Sequence, residues 1–443
     1  MNVSWINPED LLEYEFRQAE DEGKNISSVH ERWLRFKASS NNQPDIRRFA
    51  NAMLDEIAAL SISEELQRRE PSTLEMIRST RSVVSFALPA PKLARGELYD
   101  KILGGWQGRA AGCLLGKPVE KISRQGIKEI LQSAGRWPLA DFFSAHGVPE
   151  TLLQKYPWNR HSGKESLKEN LVCMTEDDDM NYPMLNLRVV EMHGKTFRTE
   201  DIATAWLENL PVLSTFTAER VAYLNLLSAL EPPMTAAHRN PYREWIGAQI
   251  RADVWGWISP GRPVQAAEMA WRDARLSHVR NGIYGEMFVA AMLAAAFVTI
   301  DIEQIVESGL GEIPTESRLA KAVCFAMKTA LAEKSWEEVL DRLYENFGHY
   351  HWVHTINNAA LLAAALIHGQ GDYERTICHT VMGGWDTDSN GATAGSIVGT
   401  MLGASNLPAK WIAPLNNRLR SSMKGFDNAA FDDLARRTAA QAT

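Results

Sequence analysis

Several features that mark common protein classes are scarce or absent in this 443-residue chain. None of its four cysteines forms a Cys-x-x-Cys pair, which favours buried, reduced thiols of a cytosolic protein over a disulfide framework. The Gly-x-Gly-x-x-Gly and Walker A patterns are missing, which argues against nucleotide-dependent dehydrogenases and kinases. The net charge is −8 and no long basic block occurs, so we expect no nucleic-acid partner. The cysteines are Cys113, Cys173, Cys324 and Cys378.

No apolar run is long enough to suggest a membrane span. The most apolar stretch, Met287–Ile300, is shorter than the roughly 20 residues that a spanning helix needs, and we predict a buried helix there. The N-terminus lacks a basic segment followed by an apolar one, so we expect no secretory signal. These absences lead us to expect a cytoplasmic protein without a membrane partner.

Strand signals are also scarce, and Arg81–Phe86 is the best short candidate. Most of the chain is rich in Ala, Leu, Met and Glu with apolar residues at helical spacing, which predicts an all-α fold. The predicted helices cover Ile46–Leu60, Val264–Arg275, Ile283–Ile300, Arg318–Glu333, Trp336–Phe347, Asn357–His368 and Ser389–Leu402.

The composition changes near residue 95. Residues 1–95 are more polar and charged than the rest, and Ser85–Glu97 contains two prolines with little periodicity, which predicts a linker or a strap. We therefore predict an N-terminal helical extension over residues 1–95 and a catalytic domain over residues 96–443.

Two segments, Gly104–Gly116 and Gly391–Gly403, carry small residues at every third or fourth position. Small side chains let helix backbones approach closely, although glycine lowers the stability of each helix. We predict that these segments form a tight central helix pair.

Acidic residues are concentrated in two places. Thr175–Asp179 (TEDDD) lies between apolar segments, and buried carboxylates need compensation, for which a divalent cation is the simplest choice. Asp386, Asp388 and Ser389 precede the second small-residue helix, where they either cap its N-terminus or bind a metal ion. All candidate ligands are oxygens, which favours Mg²⁺, Mn²⁺ or Ca²⁺ over Zn²⁺. Two converging clusters would hold two ions.

Three blocks resemble, in the same order, motifs of the ADP-ribosylglycohydrolase family, which includes the dinitrogenase-reductase-activating glycohydrolases. They are Gly104–Glu120, Thr175–Met180 (TEDDDM) and Gly383–Gly395 (GGWDTDSNGATAG). The resemblance extends over residues 98–411. It implies a compact all-α fold with a central cleft that binds two Mg²⁺ ions, with Mn²⁺ as the alternative.

The resemblance also implies roles for individual residues. Glu120 would be the cleft glutamate beside the metals and the ribose, and Glu120 or Asp177 would act as general base, with Asp386 as a further candidate catalytic residue. The implied metal ligands are Thr175, Glu176, Asp177, Asp386, Asp388 and Ser389. The implied substrate-binding residues, from weaker matches, are Gly247, Arg251, His278, Asn281 and Tyr284.

Three positions depart from the family pattern. Glu176 stands where Asp is usual, Asp178 where Thr is usual, and Lys117 where an Asp is common after the glycine-rich helix. These departures bear on the identity of the substrate more than on metal binding. The candidate cleft is also rich in aromatic residues, most of which we expect to be packing residues. They are Trp255, Trp257, Tyr284, Trp352 and Trp385.

The sequence thus predicts a metal-dependent hydrolase that cleaves an N-glycosidic bond at a ribose-like C1, as in ADP-ribosyl conjugates. The altered acidic motif and the aromatic residues leave open a glycosidase of the same fold that acts on a nucleoside or sugar conjugate. A non-catalytic, crystallin-like binding protein is another alternative, and so is a structural calcium site, although no EF-hand pattern occurs. A homo-oligomer is also left open. The histidines of His349–His354 fit no zinc motif, and we predict a cleft-rim or helix-start role for them.

Overall fold

The computed structural model describes residues 3–82, 88–89, 92–159 and 163–442. Within these ranges the secondary structure consists of α-helices and short 3-10 helices, with isolated β-bridges and no strand. The all-α prediction is therefore confirmed. The helices of the N-terminal segment are α1 (Pro8–Asp21), α2 (Ser27–Ser39), α3 (Gln43–Ala59), α4 (Glu64–Arg69) and α5 (Leu74–Thr80).

The remaining α-helices lie after residue 94 of the chain. The first group comprises α6 (Arg95–Gly116), α7 (Arg124–Ser133), α8 (Glu150–Lys155), α9 (Asp178–His193), α10 (Thr199–Asn209), α11 (Thr217–Leu227), α12 (Met234–Ala237) and α13 (Asp253–Trp257). The second comprises α14 (Pro263–Ala274), α15 (Asn281–Ala295), α16 (Ile302–Leu310), α17 (Arg318–Ala332), α18 (Trp336–Phe347), α19 (Thr355–Gly369), α20 (Tyr373–Met382), α21 (Thr387–Leu402), α22 (Ala409–Ile412) and α23 (Phe431–Ala442). The 3-10 helices are Lys117–Val119, Lys168–Asn170, Gly194–Thr196, Val212–Ser214, Gln249–Arg251, Ala404–Asn406 and Ala413–Leu415.

Helices α6 and α21 form the predicted tight pair, and the two helices run antiparallel. A Cβ atom on Gly112 would lie 2.5 Å from the carbonyl carbon of Gly391, and one on Gly399 would lie 3.0 Å from that of Gly104. Neither helix can carry a side chain at these positions without moving, so the backbones are in direct contact. The C-terminus of α6 therefore meets the N-terminus of α21, and this junction positions the candidate site.

Helix α15 is buried along its whole length, as predicted for the most apolar run. It ends at Ala295 rather than Ile300, because the chain turns there to begin α16. Asp301 starts that helix by accepting a hydrogen bond from the backbone N–H of Gln304 at 3.2 Å. Ile300 is 80% exposed as a result. Among the described residues, no helix combines the length and the apolar character needed to cross a membrane.

The N-terminal helices share the hydrophobic core of the rest of the chain, to which Leu12 and Trp33 contribute fully buried side chains. Buried ion pairs add to this contact, such as that between Glu15 and Arg243 at 2.7 Å. The division at residue 95 stays a prediction. Of the predicted strand Arg81–Phe86, Arg81 forms an isolated bridge with Pro314, and residues 83–86 lie outside the described residues.

The cysteines follow the prediction with one exception. All four thiols are free, and three are buried, but Cys324 is exposed; it lies on α17, whose buried positions are occupied by other residues. His354 starts α19, where its Nδ1 accepts a hydrogen bond from the backbone N–H of Ile356 at 3.2 Å. The helix-start role is therefore confirmed for His354.

Candidate active site

The third sequence block forms the turn between α20 and α21. Gly384 and Trp385 both adopt left-handed backbone conformations, with φ of +75° and +57°, which costs energy for a tryptophan. Trp385 is held there by stacking on Tyr344, with ring centroids 4.5 Å apart. The turn places Asp386 at the start of α21, where its backbone N–H donates to Asn358 Oδ1 at 3.2 Å.

The helix-cap interpretation is wrong for Asp386. Its side chain occupies the N-cap position but accepts no hydrogen bond from the first turn of α21. Carboxylate oxygens of Glu120, Asp386 and Asp388 lie within 4.8 Å of one another instead. We call these three residues the mouth carboxylates, because the side chain of Glu120 is 18% exposed and opens the group to solvent.

The mouth carboxylates have little positive charge in direct contact with them. Lys121 lies 3.4 Å from Glu120, but its side chain is 52% exposed. Asp388 accepts a hydrogen bond from the backbone N–H of Ser389 at 3.0 Å. In the part of the chain that the structure describes, no ion pair reaches Asp386 or Asp388.

A second acidic group, Asp177 and Asp179, lies beside the first, and we call these residues the inner carboxylates. Their oxygens lie within 4.8 Å of each other and of the thiol of Cys113. Asp177 caps α9 by accepting from the backbone N–H of Asp179 at 2.9 Å. The hydroxyl of Ser389 donates to Asp179 at 3.2 Å and so connects the two groups.

Buried protein cations pair with both inner carboxylates. The ammonium of Lys117 pairs with Asp177 and also donates to the carbonyl of Glu176 at 2.7 Å. Arg109 pairs with Asp179 at 3.1 Å and with the fully buried Asp253 at 2.8 Å.

The crowding of buried acids shifts their acidities. Burial, with Glu120 and Asp177 nearby, raises the pKa of Asp388 to about 7. Burial and the adjacent Asp388 raise the pKa of Asp386 well above its usual range. Burial also acts on Asp177, but Lys117 outweighs it and lowers the pKa of that carboxyl. A bound cation would remove the cost of ionising the mouth carboxylates, and their all-oxygen donor set fits a hard divalent ion.

The amino-acid sequence around this site matches a known protein family. A sequence model of the ADP-ribosylglycohydrolase family matches residues 94–442. The chain belongs to this family. Membership supports a glycohydrolase-type enzyme. A solved structure described as an "ADP-ribosylglycohydrolase-related protein complex" is similar at 16% identity and a TM-score of 0.47, over 79% of this chain and 100% of that one. No curated protein matches.

The structure brings together most of the ligands that the ADP-ribosylglycohydrolase motifs imply. Asp177 and Ser389 adjoin the mouth carboxylates, as described above. Thr175 is buried with its hydroxyl 3.3 Å from that of Ser166. Glu176 belongs to neither acidic group; its side chain is exposed and accepts from Asn181 Nδ2 at 2.9 Å.

Three of the implied substrate-binding residues surround the buried carboxylate of Glu219. Arg251 pairs with Glu219 at 2.8 Å and is fully buried. A Cβ atom on Gly247 would lie 2.6 Å from Oε2 of the same carboxylate. His278 is fully buried 4.0 Å from it, and its Nδ1 lies 2.8 Å from the hydroxyl of Ser277. Burial lowers the pKa of His278 well below its usual range, so the ring is neutral.

The other two implied substrate-binding residues contact the N-terminal segment. Asn281 donates to Glu70 at 2.7 Å and to Glu244 at 2.8 Å. Tyr284 donates to the carbonyl of Pro71. Both side chains are fully buried. The five implied residues are thus enclosed in this structure, and their role toward a substrate stays a prediction.

Several buried side chains have polar atoms with no hydrogen-bond partner within the described ranges. They include both polar atoms of Gln249 and of Asn357, together with Thr355 Oγ1 and Asn390 Oδ1. Gln249 and Thr355 are neighbours, since a Cβ atom on Gly285 would lie 3.1 Å and 2.5 Å from their side chains. Buried polar atoms are normally satisfied by protein, water or ligand, so these atoms are candidate contacts for water or a polar ligand.

Sequence reasoning missed two charged residues of the site. Asp179 is two residues beyond Asp177 and stood outside the implied ligand set, although it faces the same centre. Arg109 interrupts the small, uncharged residues of α6. A single charged residue in such a helix must find a buried partner, and that signal points to an acid at the centre.

Proposed function

We propose that this protein hydrolyses the N-glycosidic bond at C1 of a ribose-like sugar, as in ADP-ribosyl conjugates, with Mg²⁺ or Mn²⁺ bound at the mouth carboxylates. The proposal is supported by the convergence of three carboxylates. Two of them, Asp386 and Asp388, form no ion pair among the described residues, and the chain belongs to a glycohydrolase family. A bound divalent ion supplies Lewis acidity toward sugar hydroxyls and water.

The protein's own groups supply the remaining chemistry. A positive, oxocarbenium-like centre develops as the glycosidic bond breaks, and fixed carboxylates nearby stabilise it. Glu120 suits the role of general base better than Asp177, because its side chain is partly exposed, although it accepts a hydrogen bond from Asn159. Asp177 is buried and paired with the buried ammonium of Lys117. Asp386 and Asp388 then serve mainly as ligands.

The leaving group has two candidates, which are a protein side chain and the remainder of a small-molecule glycoside. Burial of Asn281 and Tyr284 under the N-terminal segment favours a small-molecule glycosidase, because a large protein substrate would need that face to be accessible. Trp352 is half-buried beside Lys121, with the ammonium 5.7 Å from the ring centroid, and is a candidate for stacking on a base or sugar. Trp255 and Trp257 are fully buried packing residues.

The cytoplasmic location, the absence of a nucleic-acid partner and the oligomeric state stay predictions.

Mass spectrometry of released sugar tests the proposal. The purified protein would meet ADP-ribosyl-arginine, ADP-ribosyl-serine, O-acetyl-ADP-ribose and nucleosides, each with Mg²⁺, with Mn²⁺ and with EDTA. We expect release from one substrate class, its loss in EDTA, and its loss in Asp386→Asn, which keeps the shape of the side chain. The matched control is Asp433→Asn, at a half-exposed acid on α23. Absence of release from every substrate with either metal would contradict the proposal.

A further inference from the structure

The inner and mouth carboxylates differ in how many of their oxygens accept hydrogen bonds from the protein. Asp177 accepts from the backbone of Asp179 with Oδ1 and from Lys117 with Oδ2. Asp179 accepts from Arg109 with Oδ1 and from Ser389 with Oδ2. Each oxygen of the inner pair therefore already has a protein donor. The third member of that group is the thiol of Cys113, a soft ligand that hard divalent ions do not favour.

We propose that the ammonium of Lys117 takes the place of a second metal ion, so that this chain binds a single divalent cation at its mouth carboxylates. The inference rests on the proposed function, since it refines the number of ions at the same centre. It replaces the expectation of two ions with one metal ion and one lysine.

The position of Lys117 is fixed by the central helix pair. Its side chain is only 4% exposed, and its backbone N–H caps α6 by donating to the carbonyl of Cys113. The preceding residue, Gly116, is locked against α21, because a Cβ atom there would lie 2.5 Å from the backbone nitrogen of Asp388. The ammonium is thus held at the C-terminus of α6, where the helix dipole also favours a cation.

A fixed ammonium at this point opposes a second metal ion in two ways. It repels a divalent ion in a poorly solvated interior, where charge interactions are strong. It also occupies the carboxylate oxygen of Asp177 that such an ion would need. The mouth carboxylates form no ion pair with a buried cation among the described residues, because Lys117 acts on Glu120 and Asp388 only at longer range. Their ion-pair partner, Lys121, is half-exposed and free to move into solvent.

Ion counting by native mass spectrometry and by calorimetry, with Mn²⁺ as the probe, tests the inference on the full chain. We expect one ion in the natural protein and two in Lys117→Met, which removes the charge and keeps much of the volume. Lys121→Met is the matched control and should still bind one ion. Two ions in the natural protein, or one in Lys117→Met, would overturn the inference and leave the proposed function standing. No ion in the natural protein would contradict both.

A second measurement avoids any variant that fails to fold. Electron paramagnetic resonance of the natural protein saturated with Mn²⁺ should show the six-line signal of isolated ions. A signal from an exchange-coupled pair of ions would overturn the inference. Circular dichroism of Lys117→Met, with and without Mn²⁺, establishes whether that variant is folded when its ions are counted.

Discussion

Gly112 offers a stringent test of the central helix pair. Its replacement by alanine would place a Cβ atom 2.5 Å from the carbonyl carbon of Gly391, and backbone atoms cannot rotate away as a side chain can. Overpacking of this kind costs about 1–3 kcal/mol, and we expect the upper end because two backbones are in contact. Alanine regains about 1 kcal/mol of helix propensity relative to glycine. The expected net loss in the free energy of unfolding is about 2 kcal/mol.

Gly96 provides the matched control in the same helix, because a Cβ atom there would meet nothing within 4 Å. Gly96→Ala should stabilise the protein by up to about 1 kcal/mol. Urea denaturation followed by circular dichroism would compare the two variants in one buffer. The separation between them should be roughly 3 kcal/mol from these two estimates. Equal stabilities for Gly112→Ala and Gly96→Ala would refute the close-contact geometry.

Three further predictions concern buried charge, pH and thiol reactivity. Arg109→Met should lower the free energy of unfolding by about 3–5 kcal/mol, because it leaves Asp179 buried without its partner; urea denaturation checks this, and a loss below 1 kcal/mol would contradict it. Burial, with His368 nearby, lowers the pKa of His379 to about 3. Between that pH and about 6.5, the unfolded chain binds a proton at His379 that the folded chain does not bind. Stability should therefore fall as the pH drops from about 6.5 towards 3, and a His379→Phe variant with an unchanged pH profile would contradict this assignment. Native protein should react with one equivalent of a thiol reagent, at Cys324, since the other thiols are buried; two or more fast equivalents would count against that.

Local patterns predicted the helices well where capping agrees with periodicity. Helix α18 begins and ends where its sequence indicates, because Ser335 and Glu338 form a capping box and Gly348 follows the last turn. The small residues of α6 and α21 likewise specify that these two helices pair, because only helices that both carry small side chains along one face can approach so closely. Ile300 shows the limit, because the end of α15 depends on the start of the next helix.

The candidate site was predictable only in part. The two aspartates of the third block and Glu120 lie in recognisable motifs, and their convergence follows from the contact of two helix ends. The pairing of Arg109 with Asp179 joins positions 70 residues apart, and no local pattern specifies it. The contact of Asn281 with Glu70 spans 211 residues, so the covering of that region by the N-terminal segment could not be foreseen either.

Anomalous X-ray scattering from Mn²⁺-loaded crystals tests most directly whether the mouth carboxylates are a cation centre. We expect one anomalous peak in contact with the carboxylates of Asp386 and Asp388. We expect no peak beside Asp177, where the ammonium of Lys117 lies. Absence of a peak at the mouth carboxylates, with Mn²⁺ present in excess, would show that they are not a cation centre.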